Sequence, residues 1–317
     1  MAPSRNQQLS ALYPEQRGVA LLTAVLVVAI GTVLATNLLW RTALDQQRTA
    51  SAIFGDQAMQ YALGAEAWVG DILRQDLQDS PDSDHLGEIW AAEIPPLPIE
   101  GGFITGVVRD PQGLFNLNNL VRPDGEEDEV MVAQFERLLA VLGLDPQLAG
   151  SVVDWLDPNF EIRFPVGAED EAYSRIDPPY LTLNNMITST TELMAINGFD
   201  RDVYRVLAPF VTALPMGTTL NVNTAPAEIL ASLSDEIDIN MANALVEERG
   251  DFNFANVEST FQGLVSEEIL PRLDGVTEHF VLAGQVTIGD TTLRIRSVLQ
   301  RDNSGITRTL FRSFGVE

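Results

Sequence analysis

The sequence predicts an α+β protein: a long N-terminal helix spans a membrane, continues as a stalk and packs on an antiparallel sheet that carries a large, mostly helical insertion. Three observations support this prediction. An uncharged run of 22 residues lies near the N-terminus, an amphipathic helical pattern follows it without a turn signal, and hydrophobic residues alternate with period two at the C-terminal end.

The composition limits the chemistry open to the chain. Its 317 residues include 45 acidic and 19 basic residues, every basic residue is an arginine, and the net charge is −26. Lysine and cysteine are absent, and the histidines are His85 and His279. These absences argue against thiolate catalysis, Schiff-base chemistry and a structural zinc site. We therefore expect a non-enzymatic protein that attracts divalent cations and repels nucleic acid and anionic lipid.

The first element is the hydrophobic run 19–40, VALLTAVLVVAIGTVLATNLLW. As a helix it would measure about 33 Å, which is enough to cross a bilayer. The leader before it carries Arg5 and Arg17 against Glu15, so we expect the N-terminus to stay in the cytoplasm and the bulk of the chain to lie on the far side. A cleaved signal peptide is the alternative, although its apolar region would be shorter.

The second element is a stalk helix that continues from the membrane run to residue 80. Its hydrophobic residues recur at steps of four and three and predict one apolar stripe: Phe54, Ala58, Tyr61, Ala65, Trp68 and Ile72. Ser80-Pro81-Asp82 ends the helix, and the segment 94–101, IPPLPIEG, indicates a stiff connector.

The remaining pattern predicts a sheet interrupted by helices. Residues 102–121 indicate two short strands around a turn at 110–113, and the C-terminal region indicates three more strands, at 279–288, 291–300 and 306–314. Helical patterns between them cover 130–142, 147–156, 190–197, 201–213, 225–233, 239–249 and 264–272. A strand pair before the helices and a meander after them predict one sheet, packed on the apolar stripe of the stalk.

Residues 16–23, QRGVALLT, resemble the signal of type IV pilins and type II secretion pseudopilins, which a prepilin peptidase cleaves after glycine. The resemblance implies cleavage between Gly18 and Val19, and methylation of Val19 as the new N-terminus. Most pseudopilins carry glutamate at the fifth mature position, where this chain has Thr23. The K-type minor pseudopilin of type II secretion is the member that typically lacks this acid.

Further blocks resemble the K-type family in the same order. They are DPQGLFNLNNL at 110–120, then DWLDPN, GAEDEAY and PPYLTLNN within 154–185, and LNVNTA at 220–225. The resemblance implies a pseudopilin fold in a single-pass inner-membrane protein whose bulk is periplasmic. It also implies a place at the tip of the type II secretion pseudopilus. There the chain would nucleate assembly with the I- and J-type minor pseudopilins and the other pseudopilins of the filament, and support export of folded proteins across the outer membrane.

The resemblance divides the chain into six parts. These are a prepilin-type leader (1–18), a transmembrane helix (19–40), a periplasmic stalk helix (41–80), the first part of the sheet domain (81–123), a helical insertion (124–275) and the C-terminal strands (276–317).

An acidic loop in the insertion suggests a metal site. Asp157, Asn159 and Glu161 alternate along the chain, and three consecutive acids follow at 169–171. Calcium accepts six to eight hard oxygen ligands in flexible geometry. The K-type family is associated with calcium in its helical domain, and the resemblance extends the hypothesis to these ligands: Asp154, Asp157, Glu161, Glu169, Asp170 and Asn184. The alternative is a solvated acidic loop.

Residues 220–254 resemble a helix-hairpin-helix module of the DNA-uptake type. The phosphate-binding Gly-x-Gly hairpin of such modules is replaced here by residues 234–238, SDEID, whose three carboxylates would repel DNA. We expect Asn221, Asn223 and Thr224 to cap a helix. Two other functions stay open: a minor pilin of a type IV pilus, and a membrane-anchored helix-hairpin-helix DNA receptor.

Overall fold

The computed structural model describes residues 16–93 and 95–315. It begins with one uninterrupted helix, α1 (Gln16–Asp79), of 64 residues, which is about 96 Å long at 1.5 Å per residue. This confirms that the apolar run and the stalk form one element. The most apolar 18-residue window of α1 has a mean hydropathy of 2.5 and no buried residue, so the helix is long and apolar enough to cross a membrane. The first 15 residues of the expected leader lie outside the described residues.

The other elements follow in chain order. The helices are α2 (Glu129–Val141), α3 (Leu148–Leu156), α4 (Asp170–Tyr173), α5 (Arg201–Leu207), α6 (Ala227–Ser232), α7 (Ile239–Arg249) and α8 (Val257–Phe261). The strands are β1 (Leu97–Ile99), β2 (Gly102–Arg109), β3 (Phe115–Asn116), β4 (Val211–Thr212), β5 (Leu220–Asn221), β6 (Leu273–Asp274), β7 (His279–Ile288), β8 (Thr291–Arg301) and β9 (Thr307–Phe314).

Within the described residues, five strands form one antiparallel sheet in the order β1-β2-β7-β8-β9. The predicted α+β class and the three predicted C-terminal strands are confirmed. Strand β2 precedes the insertion and pairs with β7, which follows it, so Val108 lies opposite Leu282. Strand β1 lies in the segment expected to be a stiff connector. Its proline is tolerated because an edge strand needs hydrogen bonds on one side only.

Helix α1 packs on β7 and β8 through small residues. Ala58 and Ala62 are fully buried, and they share a hydrophobic cluster with Val286, Ile288 and Ile295. Farther along the helix, a second cluster contains Val69, Leu73, Trp90, Val108, Phe280, Leu282 and Leu299. The predicted stripe was wrong after Ala58: the buried residues are Ala62, Glu66, Val69 and Leu73, one position later than predicted, and Trp68 is 45% exposed.

The insertion has its own hydrophobic core, which runs from Phe115 to Leu273. The rings of Phe115 and Phe135 stack at its centre, with centroids 5.0 Å apart. Two short parallel pairs, β3 with β4 and β5 with β6, tie distant segments together. Residues 115–121, which the sequence division assigned to the sheet domain, contribute four buried side chains to this core: Phe115, Leu117, Leu120 and Val121.

One strand prediction in the first sheet segment was wrong. Residues 102–121 contain β2, but the second expected strand is present only as the two-residue β3, which pairs with β4 instead of β2 and lies between 3₁₀ turns at Pro111–Gly113 and Leu117–Leu120. The side chains of Asp110 and Asn116 each accept a hydrogen bond from the N–H two residues later, at 2.7 and 3.3 Å, and this tightens the backbone into turns.

Several helix predictions were wrong in extent. The 190–197 segment is a 3₁₀ helix over Thr190–Ala195, and α5 ends at Leu207 because Pro209 cannot continue the hydrogen-bond ladder. Of 264–272, only Leu270–Arg272 is helical, as a 3₁₀ turn. The five-residue helix α8 was missed because it is too short to show a helical period.

Candidate functional site

The junction between stalk, sheet and insertion is organised by Arg301, at the end of β8. Its side chain is 2% exposed. It donates to Asp76 Oδ2 at 2.9 Å and to the two Asp84 carboxylate oxygens at 2.6 and 2.7 Å. Further hydrogen bonds go to the carbonyl oxygens of Leu73 and Thr277, both at 3.0 Å. One guanidinium therefore joins the last turns of α1, the following loop and the sheet.

Asp76 and Asp84 also form an acidic cluster with Glu88. One oxygen from each carboxylate lies within 4.8 Å of the other two, and all three residues are buried. Burial raises the pKa of Asp76 to about 7, repulsion from Glu88 adds to the rise, and the hydrogen bond from Arg301 opposes it. Because Arg301 contacts two of these carboxylates, we interpret the cluster as an ion-paired junction.

The insertion joins this junction through Asn221. Its fully buried side-chain amide donates to Asp84 O at 3.0 Å, to Asp110 Oδ2 at 2.8 Å and to Thr277 Oγ1 at 3.0 Å. Thr224 Oγ1 donates to the same Asp110 oxygen at 2.6 Å.

Asn223 makes a similar link within the insertion. Its amide donates to Gly275 O at 3.0 Å, and its side-chain oxygen accepts from Phe254 N at 3.0 Å. The expected capping role was therefore wrong. The N-cap residue of helix α6 is Pro226, which makes no side-chain cap, and Asn221, Asn223 and Thr224 instead hold distant segments together.

The stalk is fixed to the sheet edge by a second buried acid, Glu66, which is 8% exposed. Its carboxylate accepts hydrogen bonds from Ser297 Oγ at 2.5 Å, Thr309 Oγ1 at 2.9 Å and Arg312 Nε at 2.9 Å. Burial acts to raise the pKa of Glu66, but the hydrogen bonds from Arg312, Ser297 and Thr309 outweigh it and hold the pKa below its usual value. The carboxylate therefore stays ionised inside the protein.

Four of the candidate calcium residues, Asp154, Asp157, Glu169 and Asp170, lie near the C-terminal end of α3, where their charges act on one another. Asp154, Asp157 and Glu169 are at most 4% exposed. Asn184 is half-buried, has the left-handed backbone conformation (φ +48°) and donates its N–H to Trp155 O at 3.0 Å. Asp170 Oδ1 accepts from the N–H of Thr182 at 2.9 Å, which draws the two loops together.

The electrostatics of this group fit a cation. Burial raises the pKa of Glu169 to about 7, and the charges of Asp154, Asp157 and Asp170 add to the rise. Burial likewise raises the pKa of Asp154 to about 6. Among the described residues, neither Glu169 carboxylate oxygen has a hydrogen-bond partner, and the buried Asn184 Oδ1 also has none. Buried, unpartnered oxygen atoms beside other carboxylates are the ligands that calcium takes. Glu161 differs from the other candidates because it is exposed.

The helix pair α6 and α7 presents acids at its turn. Asp235, Glu236 and Asp238 are exposed, and Ile237 between them is buried. Asp238 accepts the N–H of Met241 at 2.8 Å and so caps α7. The surface that would meet phosphate in a helix-hairpin-helix module is therefore negatively charged.

The family model for type II secretion system protein K matches the chain in two parts, over residues 113–216 and 220–276. The type II secretion system protein K of Pseudomonas aeruginosa is 35% identical over 315 residues, which is 95% of this chain and 93% of that protein. The chain belongs to the type II secretion system protein K family.

Another protein K sequence and a solved structure show the same similarity. The protein from Aeromonas hydrophila is 34% identical over 308 residues, with 90% of this chain and 93% of that protein covered. Among solved structures, a chain from the GspK–GspI–GspJ complex of the type 2 secretion system of enterotoxigenic Escherichia coli superimposes with a TM-score of 0.76, at 26% identity, covering 85% of this chain and 100% of that one. The resemblance to the K-type family is thus confirmed.

Sequence reasoning missed the junction residues Asp76, Asp84 and Arg301. No local pattern marks them, because Arg301 is 217 residues from Asp84 along the chain. The sequence did name the candidate calcium residues: Asp154, Asp157, Glu169 and Asp170 lie in one acidic segment, Asn184 lies farther on, and the protein K family match over residues 113–216 covers all five.

Proposed function

We propose that the chain is a minor pseudopilin that works by assembly and not by catalysis, at the tip of the type II secretion pseudopilus. One observation carries the proposal: the insertion sits at the C-terminal end of α1, away from the apolar run. Asp84 N donates to Gly275 O at 2.8 Å, and Gly87 N donates to Asp251 O at 2.5 Å, so the insertion is joined to the loop that directly follows the helix.

The shape of the molecule supports the tip position. The apolar half of α1 is exposed along its length and suits packing in the membrane or beside equivalent helices. The other end of the same helix carries the sheet and, beyond it, an insertion with its own core. A body of this size at the top of the helix would obstruct a further subunit stacked above it, so the last position of a filament is the one that it fits.

The partners follow from the family. A solved relative is named as a complex of GspK with GspI and GspJ, and we propose that this chain joins the corresponding I- and J-type pseudopilins. With them it would nucleate the filament that supports export of folded proteins across the outer membrane. Gold-labelled antibody against the insertion should mark one end of isolated filaments; labelling along their length would rule out the tip position.

We also propose processing by a prepilin peptidase between Gly18 and Val19, with methylation of Val19. The chain would then be a single-pass inner-membrane protein with its bulk in the periplasm. Cells carrying Gly18→Ala should accumulate the longer form and lose secretion. Gly31→Ala is the matched control, since no atom lies within 4 Å of the added Cβ. Normal processing of the Gly18 variant would refute the assignment.

A nucleic-acid partner is not part of this proposal. The exposed carboxylates of the α6–α7 turn support its exclusion, and a gel-shift experiment with double-stranded DNA at low salt tests it. A DNA shift by the wild-type chain would favour the receptor alternative.

Finally, we propose calcium as a structural ligand of the insertion. Asp154, Asp157, Glu169, Asp170 and Asn184 would hold it, and Glu161, although exposed, stays in the proposed set. When bound, the ion would neutralise the clustered carboxylates and join the loops that carry them. Asp154 and Asp157 lie at the end of α3, Glu169 and Asp170 at the start of α4, and Asn184 in the loop after α4.

Calorimetric titration of the full chain in detergent tests the calcium site. We expect heat of binding and a higher melting temperature for the wild type, and loss of both in Glu169→Gln. Glu171→Gln is the control, because Glu171 is exposed and ion-paired with Arg175. Absence of heat and of thermal stabilisation in the wild type would eliminate the site. Glu161→Gln separately shows whether the exposed acid belongs to it.

A further inference from the structure

The two edge strands of the sheet, β1 and β9, differ in length and in proline content, and this difference decides which of them can pair with another chain. Strand β1 has three residues and lies in a proline-rich segment that contains Pro95, Pro96 and Pro98. Strand β9 has eight residues, contains no proline and is the last strand on the other side. Short strands and prolines block pairing with another chain, whereas a long edge strand has a row of unpaired N–H and C=O groups. The β9 edge is therefore the side of the sheet that can accept another strand.

The charge of this edge is opposite to that of the chain. Strands β8 and β9 contain five of the 19 arginines and no acidic residue, in a protein with a net charge of −26. Two of the five have acidic partners from α1 and the loop after it: Glu66 for Arg312, and Asp76 and Asp84 for Arg301. Arg308, on β9, has an exposed side chain whose charge also acts on Asp302 in the turn between β8 and β9. Both charged side chains of β9 are arginines, so the strand at this edge is basic.

The same edge also exposes apolar surface. Leu310 is 48% exposed, Phe311 is 46% exposed and Ile306, just before the strand, is 55% exposed. A register shift leaves Leu310 without a residue opposite it on β8, since Val298 faces Phe311 and Leu299 faces Thr309. Apolar side chains beside unpaired backbone groups and arginines are the features used when a sheet accepts an added strand.

We propose that the free edge of β9 pairs with an extended, acidic segment of a neighbouring pseudopilin, which adds a strand to the sheet. The inference rests on the proposed function, because it identifies the surface by which the chain meets its filament partner. The position of β9 suits that role, because the strand lies directly against α1. A Cβ atom added to Gly70 of α1 would lie only 3.5 Å from the Cβ atom of Thr307 on β9. A neighbour whose helix packs beside α1 would bring its own globular part to this edge.

The positive charge of β9 favours pairing with an acidic segment of a neighbouring pseudopilin over pairing with a second copy of the chain. Two β9 strands paired with each other would bring the exposed Arg308 of both copies to one edge, with no carboxylate on either strand, which is unfavourable. Carboxylates on the added strand would instead face the arginines.

Hydrogen exchange on the full chain in detergent, alone and with the I- and J-type pseudopilins of the same secretion system, tests the proposal. We expect the β9 amides to exchange at least about tenfold more slowly in the complex, as paired edge amides do. Arg308→Glu should weaken the complex by about tenfold, and Leu310→Lys by a similar factor. Arg109→Glu is the charge control, because Arg109 is an exposed arginine at the end of β2, and Ile89→Lys is the apolar control, because Ile89 is 66% exposed away from the sheet.

The possible outcomes separate the two proposals. A complex that forms with unchanged β9 exchange, and tolerates Arg308→Glu and Leu310→Lys as well as the controls, would overturn the edge assignment and leave the proposed function standing. Failure of the wild type to bind either partner would overturn both. Protection of β9 that grows with the concentration of the chain alone would identify a second copy as the occupant and refute the acidic partner.

Discussion

Replacement of Arg301 by methionine tests whether the junction holds the stalk, the sheet and the insertion together. Methionine keeps much of the length of the side chain but removes its charge and all five hydrogen bonds. It leaves Asp76, 4% exposed, and Asp84, 1% exposed, buried without their cation. The guanidinium also lies 4.8 Å from the centre of the Phe280 ring, and this contact is lost too.

The magnitude follows from the burial of the groups that remain. Removal of one partner from a buried ion pair costs about 3–5 kcal/mol, because the other charge stays uncompensated. We therefore expect Arg301→Met to lower the free energy of unfolding by about that amount. Arg301→Lys keeps the charge but cannot reproduce the planar set of donors, so its loss should be smaller. Arg308→Met, on the exposed side of the neighbouring strand, should change stability by no more than about 0.5 kcal/mol.

The effect should depend on pH in a defined direction. The pKa of Asp76 is raised to about 7 in the folded protein, so its contribution to stability is present below its unfolded value, near 3.8, and is lost as the pH rises through 7. Arg301 opposes this rise, and its removal raises the pKa further. The difference in the free energy of unfolding between the wild type and Arg301→Met should therefore be larger at pH 8 than at pH 5.

Urea unfolding of the full chain in detergent measures these differences. Trp90 is a suitable reporter because it is 2% exposed and its ring contacts Phe280, with centroids 5.2 Å apart. An Arg301→Met midpoint equal to that of the wild type at pH 8, or an equal loss at pH 5 and pH 8, would refute the reasoning.

Three further predictions concern the stalk, the metal site and the insertion. Glu66→Gln should destabilise the protein by about 1–3 kcal/mol in urea unfolding, whereas Asp71→Asn on the exposed side of α1 should not. Because the pKa of Glu66 is lowered in the folded protein, the stability difference between the wild type and Glu66→Gln should disappear as the pH falls through the folded-state pKa of Glu66. Calcium affinity should rise about tenfold from pH 6 to pH 8 in calorimetry, since the cation needs the ionised form of Glu169, whose pKa is raised to about 7, and a flat profile would contradict that role. Asn221→Leu should lower the melting temperature clearly more than Asn240→Leu, because Asn221 is fully buried and Asn240 is exposed; equal effects would show that the Asn221 hydrogen bonds do not hold the insertion.

Local periodicity was a reliable guide where an element is long. The C-terminal end of helix α1, helix α7 and strands β7 and β8 were located within a residue or two, because many residues there report one period. It failed for several segments of two to six residues, although α6 was located within two residues. In those, side-chain hydrogen bonds such as that of Asp110 to Gln112 N decide between turn and strand.

The same limit applies to the candidate site. The acidic segment at the end of α3 and after it is visible in the sequence, so the residues proposed to bind calcium could be named from it, and calcium binding stays a prediction. The expected capping by Asn221 was wrong because the sequence contains the polar residue but not its partners, which lie 56 to 137 residues away. The exposure that separates Glu161 from Glu169 also depends on tertiary packing.

The sequence by itself determined the membrane-length helix, the acidic composition, the terminal strands and the family. These properties depend on residue type and on spacing along a short stretch. Only the tertiary structure decided which face of the stalk is buried, how β2 meets β7 across the insertion, and that Arg301 joins Asp76 and Asp84. The physical reason is that these contacts depend on the packing of segments far apart in the chain, and a local pattern records the chemistry of a side chain but not the group that it will meet.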